Sequence, residues 1–502
     1  MDFSFRTGSW CDRAARNEGL GAARRLPVGM VPSWPLIVAI ASLARALAQP
    51  AALLNDPDTY LHIAAGRWML AHQALPTQDP FSYSLAGAVW VPHEWLAEVI
   101  LAVAYDAAGW SGVVWLAAAC FAASMALLTR FLLRWFEPFS ALIAVMLGGA
   151  LTLAHLLVRP HILALPLLVL WSGQLFAARD SGSAPPLWLL AIIALWANLH
   201  GSFMFGLALL LFLGAETVFS TRCCGREIRR WGFFGLLAIA ASMATPNGWA
   251  GFVEPFRLVT MPALQASFGE WMSPNFQRFE PLEIWLLGMM ALGFTTGIKL
   301  PLSRVLLLVG LSHLALAHIR HAELLGLVGP LAVAASLGPQ IAARIGAPPS
   351  ALGHGFNRLA TPARPPALAL AAVVAVVISI PIIFRPIERT EDAVTPAAAL
   401  FAARATRLVG PVFNSEGFGG YLIFSGIPTF IDGRAELYGN DFLSRYLAAE
   451  AGDCEKLTAL LQEYGVEWTL VAPRQGAAHC LDKLLGWRRV FSDRRAVIHM
   501  RG

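Results

Sequence analysis

The feature that most constrains this chain is a series of apolar stretches, each long enough to cross roughly 30 Å of hydrocarbon as a helix of about 17 to 25 residues. They fall at approximately 34–54, 110–131, 138–158, 161–178, 187–204, 203–220, 231–247, 282–299, 303–319, 324–343 and 366–385 of 502 residues. Lipid offers backbone amides no hydrogen-bond partner, so about eleven such stretches imply about eleven transmembrane helices. The charge content agrees. Only 14% of the residues are charged and 57% are hydrophobic, whereas a soluble domain carries roughly 25% charged residues. The net charge of +5 is therefore no sign of a nucleic-acid partner, because basic residues in such a chain gather in cytoplasmic loops and set its orientation.

With the amino terminus in the cytoplasm, that side collects Arg6, Arg13, Arg16, Arg24, Arg25, Arg130, Arg134, Arg179, Arg222, Arg226, Arg229, Arg230, Lys299, Arg304, Arg344, Arg358 and Arg364. The other side of the membrane domain receives Arg67, Arg159, Arg257, Arg278 and Arg320, so the positive-inside bias selects this threading over its inverse. The polar first thirty residues lack a compact apolar run ending in a small-residue cleavage site. They read as a cytoplasmic tail (1–30) before a retained first span. Residues 31–385 follow as the transmembrane domain, with a first outer loop at 55–109, and 386–502 lie outside. The expected location is a bacterial inner (plasma) membrane, with the carboxy-terminal domain periplasmic or extracellular.

Residues 386–502 change character. "GPVFNSEG", "YLIFSG", "TFIDG", "WTLVAP" and "RAVIHM" read as strands, and "EDAVTPAAALFAARAT", "DFLSRYLAAEAG", "CEKLTALLQEYG" and "AAHCLDKLLG" as helices. The fold class expected is a polytopic α-helical membrane protein with a C-terminal extracytoplasmic α/β domain. Of six cysteines, Cys11, Cys223 and Cys224 are cytoplasmic on this threading and Cys120 lies in a span. Only Cys454 and Cys480 reach an oxidising compartment, where a disulfide between them is allowed.

The threading also gathers polar residues on the outer face. After the first span come Asp56, Asp58, His62, Arg67, Asp79, His93 and Glu94. "LVRPHI" supplies Arg159 and His161, "WANLHGS" Asn198 and His200, the loop near 247–278 Asn247, Glu254, Arg257, Glu270 and Arg278, and "HIRHAE" Arg320, His321 and Glu323. Ionisable groups at membrane depth are costly and mark sites, so a polar cavity opening outward is expected. Each group also has a plainer use. Asp56 before Pro57 can cap a helix, Arg67 can snorkel, and His200 beside Gly201 can simply turn the chain. Glu94 and Glu98, one helical turn apart in "HEWLAEVILAVAYDAAG" (93–109), can be the solvated face of an interfacial amphipathic helix. Asp58 is not needed for the cap and shares a helical face with His62 at i+4. Arg159 and Arg320 run against the charge rule, which favours phosphate binding for both.

Carboxylates and arginines at an outer membrane surface suit transfer of a sugar from a lipid-phosphate donor. A carboxylate serves as general base or holds a divalent metal (Mg or Mn, with Asp56 and Asp58 as ligands), and arginines stabilise the departing phosphate. The candidate catalytic residues are Asp58, Asp56 and His62. Arg67, His93, Glu94, Arg159, His161, His200, Arg320 and His321 are the candidates for substrate and phosphate binding.

The run "DPDTYLHIAAGRWML" after the first span, a first outer loop with an amphipathic helix, many spans and a C-terminal outer domain resemble the GT-C superfamily of integral-membrane glycosyltransferases. Oligosaccharyltransferases, protein mannosyltransferases and the aminoarabinose transferase of lipid A belong to it. Across nearly the whole chain, "DPDTYLHIAAGRWML", "PTQDPFSYSLAGAVWVPHEWLAE", "RPHI", "WANLHGSF" and "FIDGRAELY" look like a bacterial family of polytopic membrane proteins. The resemblance implies a polyprenyl-linked sugar donor and a glycan, lipid or protein acceptor. Asp56 matches the Asp-Pro start of the oligosaccharyltransferase first-loop motif, and Asp58 fits the mannosyltransferase-like spacing. The chain lacks the WWDYG sequence of oligosaccharyltransferases, which puts transfer to Asn sequons in doubt. "FIDGRAELYG" occupies a comparable region, where Asp432, Arg434 and Glu436 either face the acceptor or form a strand-end turn with a salt bridge. The rival classes are a non-enzymatic envelope polysaccharide assembly factor and a transporter.

Overall fold

The computed structural model describes residues 31–219, 225–267, 269–345 and 351–502. The expected tail at 1–30 with its arginines, Arg222, Cys11, Cys223 and Cys224 lie outside the described residues. The chain is a multi-pass membrane protein. Its helices run in order as α1 (Trp34–Leu47), α2 (Pro50–Leu53), α3 (Asp58–His72), α4 (Trp95–Leu132), α5 (Pro138–Leu153), α6 (Pro160–Asp180), α7 (Leu189–Leu199) and α8 (Phe203–Phe219). They continue as α9 (Gly225–Ser242), α10 (Gly248–Val259), α11 (Pro262–Ser267), α12 (Pro281–Thr296), α13 (Leu302–Ala317), α14 (Ala322–Ile345), α15 (Ala351–Arg358) and α16 (Pro365–Phe384). Among the described residues, four helical segments are long and apolar enough to cross a membrane by length and composition: Trp95–Leu132, Pro160–Asp180, Ile319–Arg344 and Pro365–Phe384. Six more apolar helices run to 10–17 residues.

Proline and glycine place the breaks. The apolar stretch expected at 34–54 is two helices, because Pro50 forces Gln49 out of the helical region and restarts the chain as α2. Helix α4 contains the expected amphipathic segment and the following span in one run, bent at Ala108–Gly109, where Gly109 has φ +58°. Pro160 starts α6 and leaves Arg159 extended at its N-cap, φ −132° and ψ 165°. One hydrophobic core joins the bundle, with Phe121, Trp171, Trp196 and Phe203 fully buried in it. Away from the polar end described below, buried Arg304 pairs with Asp180 at 2.7 Å and Glu216 at 3.3 Å, tying α13 to α6 and α8.

The C-terminal segment carries α17 (Ala397–Ala405), β1 (Val412–Asn414), α18 (Glu416–Phe424), α19 (Ala435–Ala451), α20 (Cys454–Glu463), β2 (Trp468–Val471), α21 (Gly476–Lys483), β3 (Trp487–Ser492) and β4 (Val497–Arg501). The sheet order is β1-β2-β4-β3, with β1 and β2 parallel (Val412 opposite Trp468) and the remaining pairs antiparallel. Alternation along the strands separates two cores. Val412, Leu470 and Ile498 face one with Leu400 and Leu422, while Phe413, Val471 and Val497 face the other with Tyr446 and Leu457. Cys454 and Cys480 form a disulfide that joins the start of α20 to α21. Two expected strands are absent. "YLIFSG" lies in α18 with its apolar side chains buried, and "TFIDG" is a bend whose Thr429 bridges Ser82 of the first loop.

A buried ion cluster seats this segment on the first loop. Arg434 holds Asp432 with two bonds, at 2.8 and 2.7 Å, and Asp79 with a third at 2.7 Å. The Tyr438 hydroxyl donates to Asp432 at 2.8 Å, and Trp90 lies under the guanidinium at 4.7 Å. Breaking such a cluster leaves buried carboxylates unpaired. Arg434→Ala is therefore expected to lose about 3–5 kcal/mol, read as a lower unfolding midpoint in detergent and faster proteolysis of the C-terminal segment. An unchanged midpoint would contradict this role.

Candidate active site

The polar connections meet at one end of the bundle, around a cavity of about 350 Å³. The first turn of α3 contributes Asp58 and, one turn on, His62. The Asp56 carboxylate accepts the Asp58 backbone N–H at 2.8 Å, the capping bond its position allowed. Asp56 also has a second partner. Arg159 reaches it with Nε at 2.6 Å, Asp58 with Nη2 at 2.8 Å and Glu270 with Nη1 at 2.7 Å. Arg320 shares Glu270 at 3.0 Å and stacks over Trp271 at 4.6 Å. Behind Asp56, Arg389 donates to its backbone carbonyl at 2.8 Å while lying 4.0 Å over the Tyr60 ring.

Gly433 sits directly against Asp58, and a Cβ at that position would overlap the Asp58 carboxylate. The glycine of "FIDGRAEL" thus leaves room for the carboxylate it covers. Burial lifts the Asp58 carboxyl from 3.8 to about 6; Arg159 pulls it down and Asp56 pushes it further up. For His62, burial disfavours the charged ring, but the hydrogen bond and charge of Glu98, 3.2 Å from Nδ1, outweigh it and raise the imidazole to about 9. Glu436, also on the cavity wall, is pushed up to about 7 by burial, against the pull of His93.

Glu94 lies between two imidazoles, with its Oε1 3.4 Å from His200 Nε2 and 3.8 Å from His93 Nε2. The Ser202 N–H donates to His200 Nδ1 at 3.1 Å, which leaves the His200 proton on Nε2, toward Glu94. His161 and His321 line the same cavity, with His155 beside His161 at 5.4 Å between ring centres.

Not every candidate arrives there. Arg67 pairs with Asp106 on an exposed face and lies over Tyr105 at 4.7 Å, away from the cavity lining, because α3 turns it to the opposite side from His62. Asp432 is consumed by Arg434 and Tyr438, and Arg434 by its two carboxylates, so this pair takes the strand-end salt-bridge alternative. Glu436 alone of that motif offers the cavity a carboxylate free of that cluster. Asn198 is a brace, accepting from Trp95 Nε1 at 2.8 Å, and Arg257 is exposed beside Glu254. Glu98 is buried at 4% exposure rather than solvated.

The arrangement of these elements has a counterpart among solved structures. The archaeal oligosaccharyltransferase AglB from Archaeoglobus fulgidus, in complex with an inhibitory peptide and a dolichol-phosphate, is 11% identical, with 88% of this chain and 69% of that one covered at a TM-score of 0.54. The chain has the GT-C fold. ArnT from Cupriavidus metallidurans, bound to undecaprenyl phosphate, is 15% identical over 93% of this chain and 96% of its own, at a TM-score of 0.47. No protein-family profile and no curated protein sequence matches the chain.

Within this GT-C fold, the Asp56 and Asp58 side chains do not fit a divalent ion. The Arg159 guanidinium stands between them, 2.6 and 2.8 Å away, in the place a bridging cation would take. Among the described residues no group of three or more His, Cys, Asp or Glu side chains has metal-ligating geometry. His155, Glu270, Arg389 and Gly433 were not singled out as site residues from the sequence. His155 lies in the turn just after the apolar helix α5, where an ionisable residue at membrane depth is itself a signal; Gly433 and Arg389 gave none, because their partners are more than 300 residues away.

The raised Asp58 pKa fixes a sign. The folded state binds this proton more tightly than the unfolded state, so stability declines as pH rises from about 4 through 6. Asp58→Asn is accordingly expected to melt at a higher temperature than the wild type above pH 6, with the gain vanishing below pH 4, when detergent-purified proteins are compared across that range. A variant less stable at every pH would contradict the buried, strained carboxylate.

Proposed function

We propose that the chain is a membrane glycosyltransferase that moves a sugar from a polyprenyl-phosphate-type lipid donor to an envelope glycan, lipid or protein acceptor on the outer face of the inner membrane. The supporting observation is Asp58, a carboxyl with a pKa of about 6, sharing one cavity with Arg159 and Arg320. A base with a pKa near neutrality combines adequate ionisation with proton-accepting power.

Asp58 takes the proton of an acceptor hydroxyl as its oxygen forms a bond to the anomeric carbon. The bond from that carbon to the phosphate oxygen breaks, and its electron pair leaves with the lipid phosphate. Arg159 and Arg320, locked together through Glu270, receive the charge that develops there. Arg159 spends three N–H directions on Asp56, Asp58 and Glu270, and a guanidinium has five N–H groups in all. His62, held charged by Glu98, faces the same carboxylate and limits how far burial can raise it. Glu436 and the C-terminal segment over Asp58 stand on the acceptor side. The AglB and ArnT structures carry dolichol-phosphate and undecaprenyl phosphate, and a lipid of that kind is the donor carrier proposed for this chain.

The test uses a deletion strain complemented with wild type or Asp58→Asn at matched membrane abundance, with surface glycans and lipid-linked sugars profiled by mass spectrometry. The expected result is a missing sugar and an accumulated lipid-linked donor, rescued by wild type and not by the variant. A loss of about 10²–10⁴ in rate is the usual size for a general base. Full rescue by Asp58→Asn would remove it as the base, and an unchanged profile in the deletion would sink the transferase reading. Gly433→Ala, which pushes a methyl group into the Asp58 carboxylate, is expected to lower kcat at least about tenfold, the result of roughly 1.4 kcal/mol of lost transition-state stabilisation. Wild-type turnover in that variant would show that the glycine contact is not needed.

A further inference from the structure

The C-terminal segment separates its charges. Residues 386–481 carry twelve carboxylate side chains against seven cations. Residues 482–501 reverse this, with Lys483, Arg488, Arg489, Arg494, Arg495 and Arg501 against Asp482 and Asp493. Among the described residues, Arg489 is the one of these six cations that is ion-paired, with Asp482, which also holds His499 at 2.8 Å. Asp493 accepts the backbone N–H groups of Arg495 and Ala496 at 2.7 and 2.8 Å. Exposed Glu467 also stands at this rim, its backbone carbonyl accepting the Arg501 N–H at 2.9 Å, and it leaves the excess positive. Orientation in the membrane does not call for these cations, because translocated domains are tolerant of charge.

The excess lies along β3. The sheet order puts β3 at one edge and β1 at the other. It is β1 that meets the first loop, where the Tyr83 hydroxyl donates to the Val412 carbonyl at 3.1 Å. Strands lie about 4.8 Å apart, so β3 stands about 14 Å across the sheet from that contact. At about 3.4 Å per residue β3 is about 20 Å long, with Lys483 and Arg488 toward its start and Arg494 and Arg495 just past its end. Lys483, Arg488, Arg494 and Arg501 are exposed, and Leu485 is exposed at 96%. One carboxylate or phosphate cannot engage cations spread over that length, whereas a polymer charged on successive units can. The edge resists an added protein strand, because a register shift between Arg489 and Phe491 and exposed arginines both blunt strand pairing. Guanidinium groups take carboxylates bidentately, and Leu485 with half-buried Trp487 offers sugar rings an apolar rest.

We infer that the β3 edge is a docking surface for an acidic polysaccharide, a chain with carboxylates on successive sugar units, held by Lys483, Arg488, Arg494, Arg495 and Arg501. The surface is separate from the cavity. It stands or falls apart from the transferase reading, because holding the polymer makes and breaks no covalent bond.

The experiment measures binding to the full-length protein in phosphatidylcholine nanodiscs. The probes are a fluorescent oligogalacturonate long enough to span β3, monomeric galacturonate, a neutral dextran of matched length and a polyglutamate peptide. The oligogalacturonate is expected to bind saturably, and at least about tenfold more weakly when sodium chloride rises from about 0.05 to 0.5 M, since exposed charges are screened by salt. Monomer and dextran are expected not to bind over the same concentrations. The double variant Arg488→Gln/Arg494→Gln is expected to weaken the oligogalacturonate about tenfold, the scale of two exposed charge pairs. Arg445→Gln/Lys456→Gln, an equal loss of charge on α19 and α20, is expected to leave its affinity unchanged. Matching unfolding midpoints of the two variants exclude misfolding as the cause. Absence of oligogalacturonate binding, an equal effect of both double variants, or dextran binding as tightly would overturn the inference and leave the cations as a guard on an open strand edge. Tighter binding of polyglutamate would overturn it too, in favour of an acidic protein partner. None of these outcomes bears on the lipid-linked donor, which the deletion strain tests separately.

Discussion

Three carboxylates meet one guanidinium where α3 and α6 begin: Asp56, Asp58 and Glu270 all close on Arg159 within 2.8 Å. Moving any of these charges out of water costs several kcal/mol, and the cost is recovered only when the partners meet in good geometry. A guanidinium can do this for three carboxylates at once because it is a planar fork of five donors that stays charged. The consequence is topological. The turn before α3, the N-cap of α6 and the short helical turn at Gly269–Trp271 must all be in place before any of the four charges is comfortable. The site thus depends on three separate connections being held in place by the packed bundle.

Two further arginines carry that order outward. Arg389, on the strap after α16, grips the Asp56 carbonyl, and Arg434 locks the C-terminal segment to Asp79 of the first loop. Gly433 follows from the second lock, because seating Arg434 lays the adjacent backbone on the Asp58 carboxylate. The cavity is thus closed by a segment far away in sequence, and the Asp58 carboxylate is partly desolvated by that closure. Its raised pKa is the electrostatic result of the fold's long-range packing rather than of its neighbours along α3.

The sequence reading reached the architecture because periodicity and apolar run length survive in any context. The eleven apolar stretches all fall largely on helices, 34–54 on two of them, though helix length and composition mark only four described segments as long enough to span. It erred where local pattern is ambiguous. "YLIFSG" is a short apolar run that serves equally as strand or buried helix, and packing against α3 made it helical. The strand at Trp487–Ser492 escaped notice because exposed Arg488 and Arg489 and a register shift between Arg489 and Phe491 break the alternation of this edge strand. Arg67 was misplaced for a different reason: its i+5 offset from His62 turns it away from the cavity and toward Asp106.

By itself the sequence determined the membrane class, the helical segments and the small α/β segment at the end, together with the pool of ionisable residues that the connections would expose. Those follow from hydrophobicity and spacing, which act locally. Only the tertiary structure decided which of those residues meet. That choice depends on three-dimensional distance, and an ion pair between a loop at 56 and a helix start at 159 leaves no trace in either segment. It also decided that Asp432 and Arg434 would hold the fold while Glu436, two residues on, faces the cavity. The start of α19 at Ala435 separates those two fates, and only the direction in which the helix begins against the first loop distinguishes them.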